Sequence, residues 1–398
     1  MSSHTKSLTV VISFFSLIIV TTTIISLIAQ GYRIEFKGKP TIKSTGILSA
    51  TSQPKSASIY LDDRLISATD NTINLPPAEY SLKIVKNGYL PWQKTIQIKK
   101  EVVYQSNAQL FRSSPDLKSI TPSGAINPVV SPDGTKIVYS VASASAQTDN
   151  GLYLIELTNN PLPINRNIPK LIAPNSLSIN WSEAEFNFSP NSQQIIATFN
   201  QKLSMLLNIS SSINKNQLFD ITPKLPIIKE EWSLQNQQIT AAKLEKIPEI
   251  LKSFISTDSA QNIQLTLLED KILYLAKTSG QLPQNIITPP PAQSTQKQSR
   301  SIETNNYYVY DIKDDTNFLI GSNIKAIFPM WLPNSNNIVY IENNNINTVE
   351  YDSTNKQTLF SGTFNKNLLA LWPDGNRLIT LISPYPGSPQ NLYAIIIK

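Results

Sequence analysis

One short turn-and-strand phrase recurs along this chain, and it limits the possible folds more than any other feature of the sequence. The clearest copy is Ser-Pro-Asp-Gly-Thr-Lys-Ile-Val-Tyr at residues 131–139. Proline, aspartate and glycine supply the backbone angles of a tight turn, and the β-branched residues behind them favour a strand. Aligned at the proline position, the copies begin at Pro132, Pro190, Leu234, Leu267, Pro333 and Pro373.

The spacing of these copies indicates a repeat architecture. An aliphatic residue follows each start by five positions, and successive starts are 58, 44, 33, 66 and 40 residues apart. Such spacings are centred where the blades of β-propellers fall. The sequence therefore predicts a six-bladed propeller over residues 113–398.

Two copies depart from the pattern. The third copy is followed by apolar residues at helical spacing, which predicts a helical insert near residues 243–255. The fourth copy lacks proline and glycine, and residues 283–301 interrupt its blade with a run of three prolines and a Gln/Ser tract. That composition predicts an exposed, disordered loop.

The two ends of the propeller region are expected to pair. Residues 117–121 resemble a strand cut off from its own blade, and the last strand covers residues 392–397. Pairing them in one blade would close the ring and remove exposed strand edges.

An apolar segment precedes these domains. Residues 8–29 form 22 positions without a charge, about 33 Å of helix, which is enough to cross a bilayer core of about 30 Å. This predicts a cytoplasmic tail and transmembrane signal anchor over residues 1–29, with the body extracytoplasmic, at the cell surface or in a periplasm-like space. A cleaved signal peptide is the competing interpretation. The positive-inside pattern is contrary to the predicted orientation, because four basic residues follow the segment and one precedes it.

The region between the anchor and the repeats is a second module. After a linker at residues 30–45, residues 46–112 alternate apolar and polar positions in short runs, which predicts a small antiparallel sandwich. Four motifs stand in order at residues 54–57, 59–62, 75–80 and 88–89: Pro-x-x-Ala, Ile-Tyr-Leu-Asp, Leu-Pro-Pro-Ala-Glu-Tyr and Gly-Tyr. Their order resembles the PEGA domain family, although Ser56 and Ala78 stand where that family has glycine. The resemblance implies an immunoglobulin-like surface module without a catalytic role.

Charge is unevenly distributed between the two regions. Residues 1–112 carry 13 Lys/Arg against 6 Asp/Glu, whereas residues 113–398 carry 21 against 22. The basic surface of the PEGA-like module is either a solvated face or an attraction for anionic lipid or an anionic wall polymer. The neutral repeat region has no basic stripe interleaved with aromatic residues, so no nucleic-acid partner is predicted.

The turn-and-strand units resemble the TolB-like and WD40-like propeller repeats of bacterial envelope proteins. That resemblance implies a binding platform, or a gating domain as in some serine peptidases. The peptidase half has no counterpart here: the chain contains neither a Gly-x-Ser-x-Gly elbow nor a histidine beyond His4.

Several site chemistries are excluded by residue type. The chain has no cysteine and one histidine, and it lacks an Asp-x-Asp-x-Asp-Gly loop and a glycine-rich phosphate loop. We therefore predict no metal, no cofactor and no enzymatic activity. The turn residues are expected to be structural. They are Pro132, Asp133, Gly134, Pro190, Pro333, Pro373, Asp374 and Gly375.

Four tryptophans lie close to the predicted blade starts: Trp181, Trp232, Trp331 and Trp372. Large rings at such positions either pack between neighbouring blades or form a ring that faces a ligand. The predicted function is non-catalytic binding of an unidentified protein partner or an envelope polymer. Two alternatives stay open, a structural spacer of an envelope assembly and a glycosidase-type enzyme that uses two carboxylates.

Overall fold

The computed structural model describes residues 3–29, 32–35, 41–158, 168–200, 202–209, 218–245, 247–288, 290, 294–321 and 327–398. The chain divides into two compact units. One consists of Met1–Leu110 and Pro289–Gln296, and the other of Phe111–Thr288 and Lys297–Lys398. Strands predominate in both units, as the sequence predicts.

The N-terminal unit begins with a helix, α1 (Ser3–Ala29). Its side chains are described over residues 11–26, and all of them are exposed. Within the described part of the chain, no helix combines the length and the apolarity needed to cross a membrane, so the transmembrane anchor predicted over residues 8–29 is not found. A hairpin of β1 (Tyr32–Glu35) and β2 (Thr41–Ser44) lies in the segment expected to be a linker.

Seven strands of this unit form a sandwich of a three-stranded and a four-stranded sheet, in the orders β6-β3-β9 and β5-β4-β7-β8. Alternating apolar residues fill the space between the sheets, including Leu48, Ile84 and Trp92. The predicted sandwich is confirmed, but β3 and β9 pair in parallel rather than antiparallel. The strands are β3 (Gly46–Gln53), β4 (Ser58–Leu61), β5 (Arg64–Ala68), β6 (Asn71–Leu75), β7 (Ala78–Val85), β8 (Trp92–Ile98) and β9 (Val103–Gln109).

The C-terminal unit contains, among the described residues, five four-stranded antiparallel sheets, which we call blades 1 to 5. Blade 1 is β11 (Ile126–Val130), β12 (Lys136–Val141), β13 (Gly151–Glu156) and β14 (Lys170–Pro174). Blade 2 is β15 (Ala184–Phe188), β16 (Gln194–Phe199), β17 (Leu203–Asn208) and β18 (Phe219–Asp220). Blade 3 is β19 (Ala260–Leu265), β20 (Lys271–Ala276), β23 (Tyr307–Asp311) and β24 (Thr316–Gly321), with a hairpin of β21 (Gly280–Gln281) and β22 (Ser301–Ile302) between its second and third strands. Blade 4 is β25 (Ile327–Trp331), β26 (Asn337–Glu342), β27 (Asn345–Glu350) and β28 (Gln357–Ser361).

Blade 5 joins the two ends of the repeat region. It consists of β29 (Asn365–Leu371), β30 (Arg377–Ile382), β31 (Asn391–Ile396) and β10 (Asp116–Ser119). Strand β10 pairs antiparallel with β31, from Asp116 opposite Ile396 to Ser119 opposite Tyr393. The predicted pairing of the first and last strands is thereby confirmed.

The described residues form five blades rather than the six predicted, because the third copy of the repeat is a helix. Residues Leu225–Leu244 form α2, which is followed by the short helix α3 (Glu249–Lys252). Leu234 and Ile239, which match the repeat by spacing, both lie in the interior of α2. The sequence of α2 is rich in Gln, Glu, Lys and Ala, which are good helix formers. Pro226 stands in the first turn of the helix, where proline is favoured.

Neighbouring blades contact one another through their first strands. Strand β11 packs against β15 and β29, and β25 packs against β29. Gln264 Nε2 of β19 donates to the Pro329 carbonyl of β25 at 2.8 Å. The blades thus follow one another side by side, as in a propeller, and α2 stands in the chain between blades 2 and 3.

The segment expected to be a disordered loop, residues 283–301, is described except at residues 289 and 291–293. Its end is fixed to blade 3 by Arg300, whose guanidinium donates to Pro283 O at 2.8 Å and pairs with Asp315 Oδ2 at 3.1 Å. Asp315 also accepts hydrogen bonds from Tyr310 and from the Ile286 amide. These contacts give the segment a defined course at both ends.

Candidate functional site

The turn residues of the repeat hold their own backbone. Asp133 Oδ1 accepts hydrogen bonds from Ser131 Oγ at 2.5 Å and from the Thr135 amide at 2.9 Å. Burial acts to raise the pKa of Asp133, but the hydrogen bonds from Ser131 and Thr135 outweigh it, and the pKa lies below its ordinary value. This carboxylate stabilises a turn that Gly134 completes with a φ of +70°.

The equivalent turn of blade 5 is built in the same way. Asp374 Oδ1 accepts from the Asn376 amide at 2.8 Å, and Arg377 Nη2 donates to Asp374 Oδ2 at 2.6 Å. In blade 2, Asn191 after Pro190 takes the same role and accepts from Ser189 Oγ at 2.7 Å. In blade 4, Asn334 after Pro333 accepts from the Asn336 amide at 3.1 Å. Every one of these side chains is used within its own turn.

Three of the four candidate tryptophans lie inside the blades or between them. Trp181 is 1% exposed and donates from Nε1 to the Pro174 carbonyl at 3.2 Å. Trp372 is 2% exposed, and the Arg377 guanidinium lies 3.8 Å from its ring centroid. Trp331 of blade 4 donates from Nε1 to Gln264 O of blade 3 at 3.2 Å, so it connects two sheets. These rings contribute to packing.

Trp232 is placed differently, because it lies on α2 and lines a cleft of about 470 Å³. The opposite wall of the cleft comes from blade 2, through Asn187, Phe188 and Ile196. We call this space the α2 cleft. Trp232 is half-buried at this cleft, beside open space.

Most of α2 is exposed to solvent, and its apolar residues are spread around the helix. Ile227 and Leu234 are exposed, at 59% and 51%, whereas Leu225, Ile228 and Trp232 are half-buried and Leu244 is buried. The side chains that face blade 2 recur at helical spacing and, apart from Trp232, are polar. They are Lys229, Trp232, Ser233, Asn236, Gln237 and Thr240.

Several polar groups of the α2 cleft are free to bind a ligand, although Thr240 Oγ1 donates to the Asn236 carbonyl at 2.9 Å. Within the described part of the chain, the side chains of Asn187, Asn236 and Gln237 make no hydrogen bond, and Lys229 has no ion pair. Lys229 is also the only charged side chain among the described residues that line the cleft. The cleft therefore combines one aromatic face, one cation and several unused donors and acceptors.

A second cleft of about 460 Å³ lies beside the first strands of blades 1 and 5. Two of its amides are bonded within the fold: Asn127 Nδ2 donates to the Ala184 carbonyl at 2.9 Å, and Asn365 Nδ2 donates to Gln390 Oε1 at 3.2 Å. The α2 cleft is the better candidate for binding, because its described lining adds an aromatic ring and a cation to the unused amides.

Carboxylates are missing from the described lining of both clefts. Among the described residues, no group of three Asp, Glu or His side chains is placed to hold a metal ion. The arrangement in the α2 cleft can stack, donate and accept hydrogen bonds and attract an anion, which are functions of binding.

Lysines of the N-terminal unit serve its own structure in several cases. Lys55 pairs with Asp70 at 3.3 Å, and Lys86 Nζ donates to the Lys55 carbonyl at 2.5 Å. Lys94 is buried, with its ammonium 5.6 Å from the Trp92 ring centroid. Some of the positively charged side chains of this region are therefore engaged in contacts within the fold.

The sequence points to Trp232 but not to the residues around it in the cleft. The repeat spacing predicts a blade in this segment, and a blade does not bring Lys229, Asn236, Gln237 and Thr240 together with Trp232. The available signal was their spacing with Trp232, which follows one face of a helix over three turns.

Comparison with known proteins supports the division of the chain. Residues 45–114 match the PEGA domain family. The chain thus carries a PEGA domain followed by a unit of small propeller-like sheets. No curated protein matches the chain.

Similar solved structures are distant. TolB from Acinetobacter baumannii is 12% identical over 90% of this chain and 65% of that chain, with a TM-score of 0.22. A protein of unknown function from Bacteroides thetaiotaomicron is 8% identical over 90% of this chain and 94% of that chain, with a TM-score of 0.26. An oligogalacturonate lyase in complex with manganese is 12% identical over 71% of this chain and 67% of that chain, with a TM-score of 0.22. These scores carry no function over to this chain.

Proposed function

We propose that this protein is a non-catalytic binding protein of the cell envelope, and that its C-terminal unit takes its ligand in the α2 cleft. The PEGA domain at residues 45–114 supports an envelope-associated role. The single observation that carries the binding role is the α2 cleft, in which Trp232 and unused polar groups lie beside open space.

The lining of the cleft suits a polar ligand. Such a ligand would satisfy the amides and hydroxyls between α2 and blade 2. It would also cover the half-buried ring of Trp232, and burial of apolar area contributes about 25 cal/mol per Å².

The test compares two substitutions on opposite faces of α2. The full chain is purified in detergent as wild type, Trp232→Ala and Leu234→Ala, and each is co-sedimented with the insoluble envelope fraction of the source organism. Both substitutions replace a large residue with alanine on the same helix, so Leu234→Ala controls for effects on α2 itself. We expect Trp232→Ala to lower binding at least about tenfold and Leu234→Ala to leave it unchanged.

Other outcomes contradict the proposal. If wild type and Trp232→Ala bind equally well, the ligand lies elsewhere. If wild type does not bind at all, the structural-spacer alternative replaces the binding role.

The apolar side chains of α1 are exposed, among them Phe14, Phe15 and Ile19, and this bears on where the protein is located. Insertion of such a surface into lipid is favourable, because it removes the apolar side chains from water. We propose that the segment attaches the protein to the membrane with the body outside the cytoplasm.

Two measurements test the location. Protease added to intact cells should remove residues beyond α1, and a chain without residues 1–29 should move to the soluble fraction. Complete protection until lysis would contradict the outward orientation. Retention of the truncated chain in the membrane pellet would contradict attachment through α1.

A further inference from the structure

We infer that the ligand of the α2 cleft is a saccharide chain that carries an acidic group, with a sugar ring stacked on Trp232 and the acid paired with Lys229. This inference rests on the proposed function and specifies its ligand class.

Trp232 supplies the aromatic face of the cleft. Trp232 is half-buried at the cleft and offers an indole ring whose faces carry negative partial charge. One face of a pyranose ring is a patch of C–H bonds with weak positive polarisation. Such C–H groups make favourable contacts with a π face, so a flat apolar ring in a polar cleft fits a sugar.

The polar lining has the matching chemistry. Six of the residues that line the cleft carry an amide or a hydroxyl, namely Asn187, Ser233, Asn236, Gln237, Thr240 and Thr257. Amides and hydroxyls both donate and accept hydrogen bonds. Sugar hydroxyls do the same, so neighbouring hydroxyls on one ring can satisfy both functions of each amide. A ligand that only accepts or only donates would satisfy half of them.

Lys229 adds the requirement for an acid. It stands one helical turn before Trp232, where side chains lie about 5–6 Å apart at their Cβ atoms. Within the described residues its ammonium is unpaired, and no carboxylate lines the cleft beside it. An anionic substituent on the stacked sugar, or on the next one, would lie within reach. Carboxylate and phosphate both meet this requirement, and the experiment separates them.

A peptide fits the cleft less well. Tight peptide anchors fill desolvated apolar pockets. In this open cleft, Phe188 and Ile196 are the only apolar residues beside Trp232 among the described residues of the lining. A peptide ligand is therefore an outcome that the experiment must be able to detect.

The experiment uses the full chain in detergent and polysaccharide from the envelope of the source organism. The envelope protein is separated and kept as a protease-sensitive fraction, and the polysaccharide is partly hydrolysed and divided by anion exchange into a neutral and an acidic pool. Part of the acidic pool is treated to reduce its carboxylates, and another part is dephosphorylated. The variants are Trp232→Ala and Lys229→Gln, with Leu234→Ala and Lys243→Gln as controls on the same helix.

The expected result is binding to the acidic pool alone. Trp232→Ala should weaken it at least about tenfold, as loss of a stacking platform does. Lys229→Gln should weaken it about threefold, as loss of an exposed ion pair does. Both controls should match wild type. Binding should be lost after one of the two treatments, which identifies the acid as carboxylate or phosphate.

Three results would overturn the inference, and they are distinguishable from failure of the proposed function. Binding to the neutral pool alone contradicts the acidic group. Trp232-dependent binding to a protease-sensitive fraction alone shows that the ligand is a protein, in which case the proposed binding role stands and the saccharide does not. Absence of any Trp232-dependent binding overturns both.

Discussion

A Cβ atom at Gly375 would lie 2.7 Å from Cδ of Pro333, so the turn of blade 5 sits directly against the turn of blade 4. Gly375 has a φ of +68°, which also favours glycine on its own account. The repeated phrase therefore has two structural roles at this position. It forms the tight turn, and because Gly375 has no side chain, the turns of neighbouring blades can approach closely.

Gly375→Ala should destabilise the protein more than Gly134→Ala, its equivalent in blade 1. Gly134 has a similar φ of +70°, but a Cβ there would meet nothing within 4 Å. Gly134→Ala should lower the free energy of unfolding by about 1–2 kcal/mol through backbone strain alone. Gly375→Ala should cost at least about 1 kcal/mol more, because it adds overpacking against Pro333. Urea titration followed by tryptophan fluorescence measures both, and equal losses would contradict the close contact.

The acidic side chain of Asp311 should make stability depend on pH. Asp311 is 5% exposed and lies 3.7 Å from Lys271. Burial raises its pKa to about 6, although Lys271 acts to lower it. The folded state thus holds this proton more tightly than the unfolded chain, whose aspartate pKa is about 3.9. The stabilisation is complete below pH about 4 and is lost as the pH rises through about 6.

Asp311→Asn should remove this pH dependence while keeping an oxygen for the hydrogen bonds that Asp311 Oδ1 accepts from the Lys313 and Asp314 amides. Between pH 4 and pH 7, wild type should lose up to about 3 kcal/mol relative to the variant. Urea titrations at pH values across this range measure the difference. Asp258→Asn, at an exposed position, is the control and should run parallel to wild type. A parallel curve for Asp311→Asn would contradict the raised pKa.

Breaking the ion pair of Arg300 and Asp315 should lower the stability of the protein strongly, because both side chains are buried or nearly so. Their side chains are 10% and 2% exposed. Arg300→Ala leaves a buried carboxylate without its cation and should lower the free energy of unfolding by about 3–5 kcal/mol. Limited proteolysis should also cut between residues 283 and 300 sooner than in wild type, since Arg300 fixes that segment. The pair of Lys356 and Glu342 is the control, because its side chains are more exposed, at 56% and 28%, and lie 2.9 Å apart. Lys356→Ala should cost at most about 1 kcal/mol. Similar costs for the two variants would contradict the anchoring role of Arg300.

The core tryptophan and the cleft tryptophan should respond differently to truncation. Trp181→Ala removes a side chain that is 1% exposed and whose ring centroid lies 5.6 Å from that of Phe199. It should lower the free energy of unfolding by about 3–5 kcal/mol. Trp232→Ala should change stability by less than about 1 kcal/mol, because its ring lies beside open space. Thermal unfolding of the two variants measures this. A large loss for Trp232→Ala would indicate that the ring is structural.

The sequence predicts most of the sheets because turn chemistry is local. Copies with proline at 132, 190, 333 and 373 all precede a strand of a blade. The copy at Leu267 also precedes one, although it lacks proline and glycine, because Glu269 takes the left-handed conformation with a φ of +55°. The copy at Leu234 does not, because periodic aliphatic residues occur in helices as well, and no turn residue distinguishes the two there.

The site is harder to predict than the sheets. Trp232 is recognisable in the sequence, but its partners Asn187 and Ile196 lie on blade 2, far from α2 in the chain. Which face of α2 meets blade 2 is decided by tertiary packing. The hydrophobic pattern does not decide it alone, because Ile227 and Leu234 lie on the side of the helix opposite Ile228 and Trp232.

Fluorine NMR of the full chain tests the central claim, that Trp232 is the ligand-facing tryptophan. The five tryptophans are replaced by 5-fluorotryptophan, and the resonance that disappears in Trp232→Phe is assigned to that position. On addition of solubilised envelope polymer, the Trp232 resonance should shift while those of Trp181 and Trp372 stay in place. A shift at Trp181 or Trp372 with Trp232 unchanged would contradict the account.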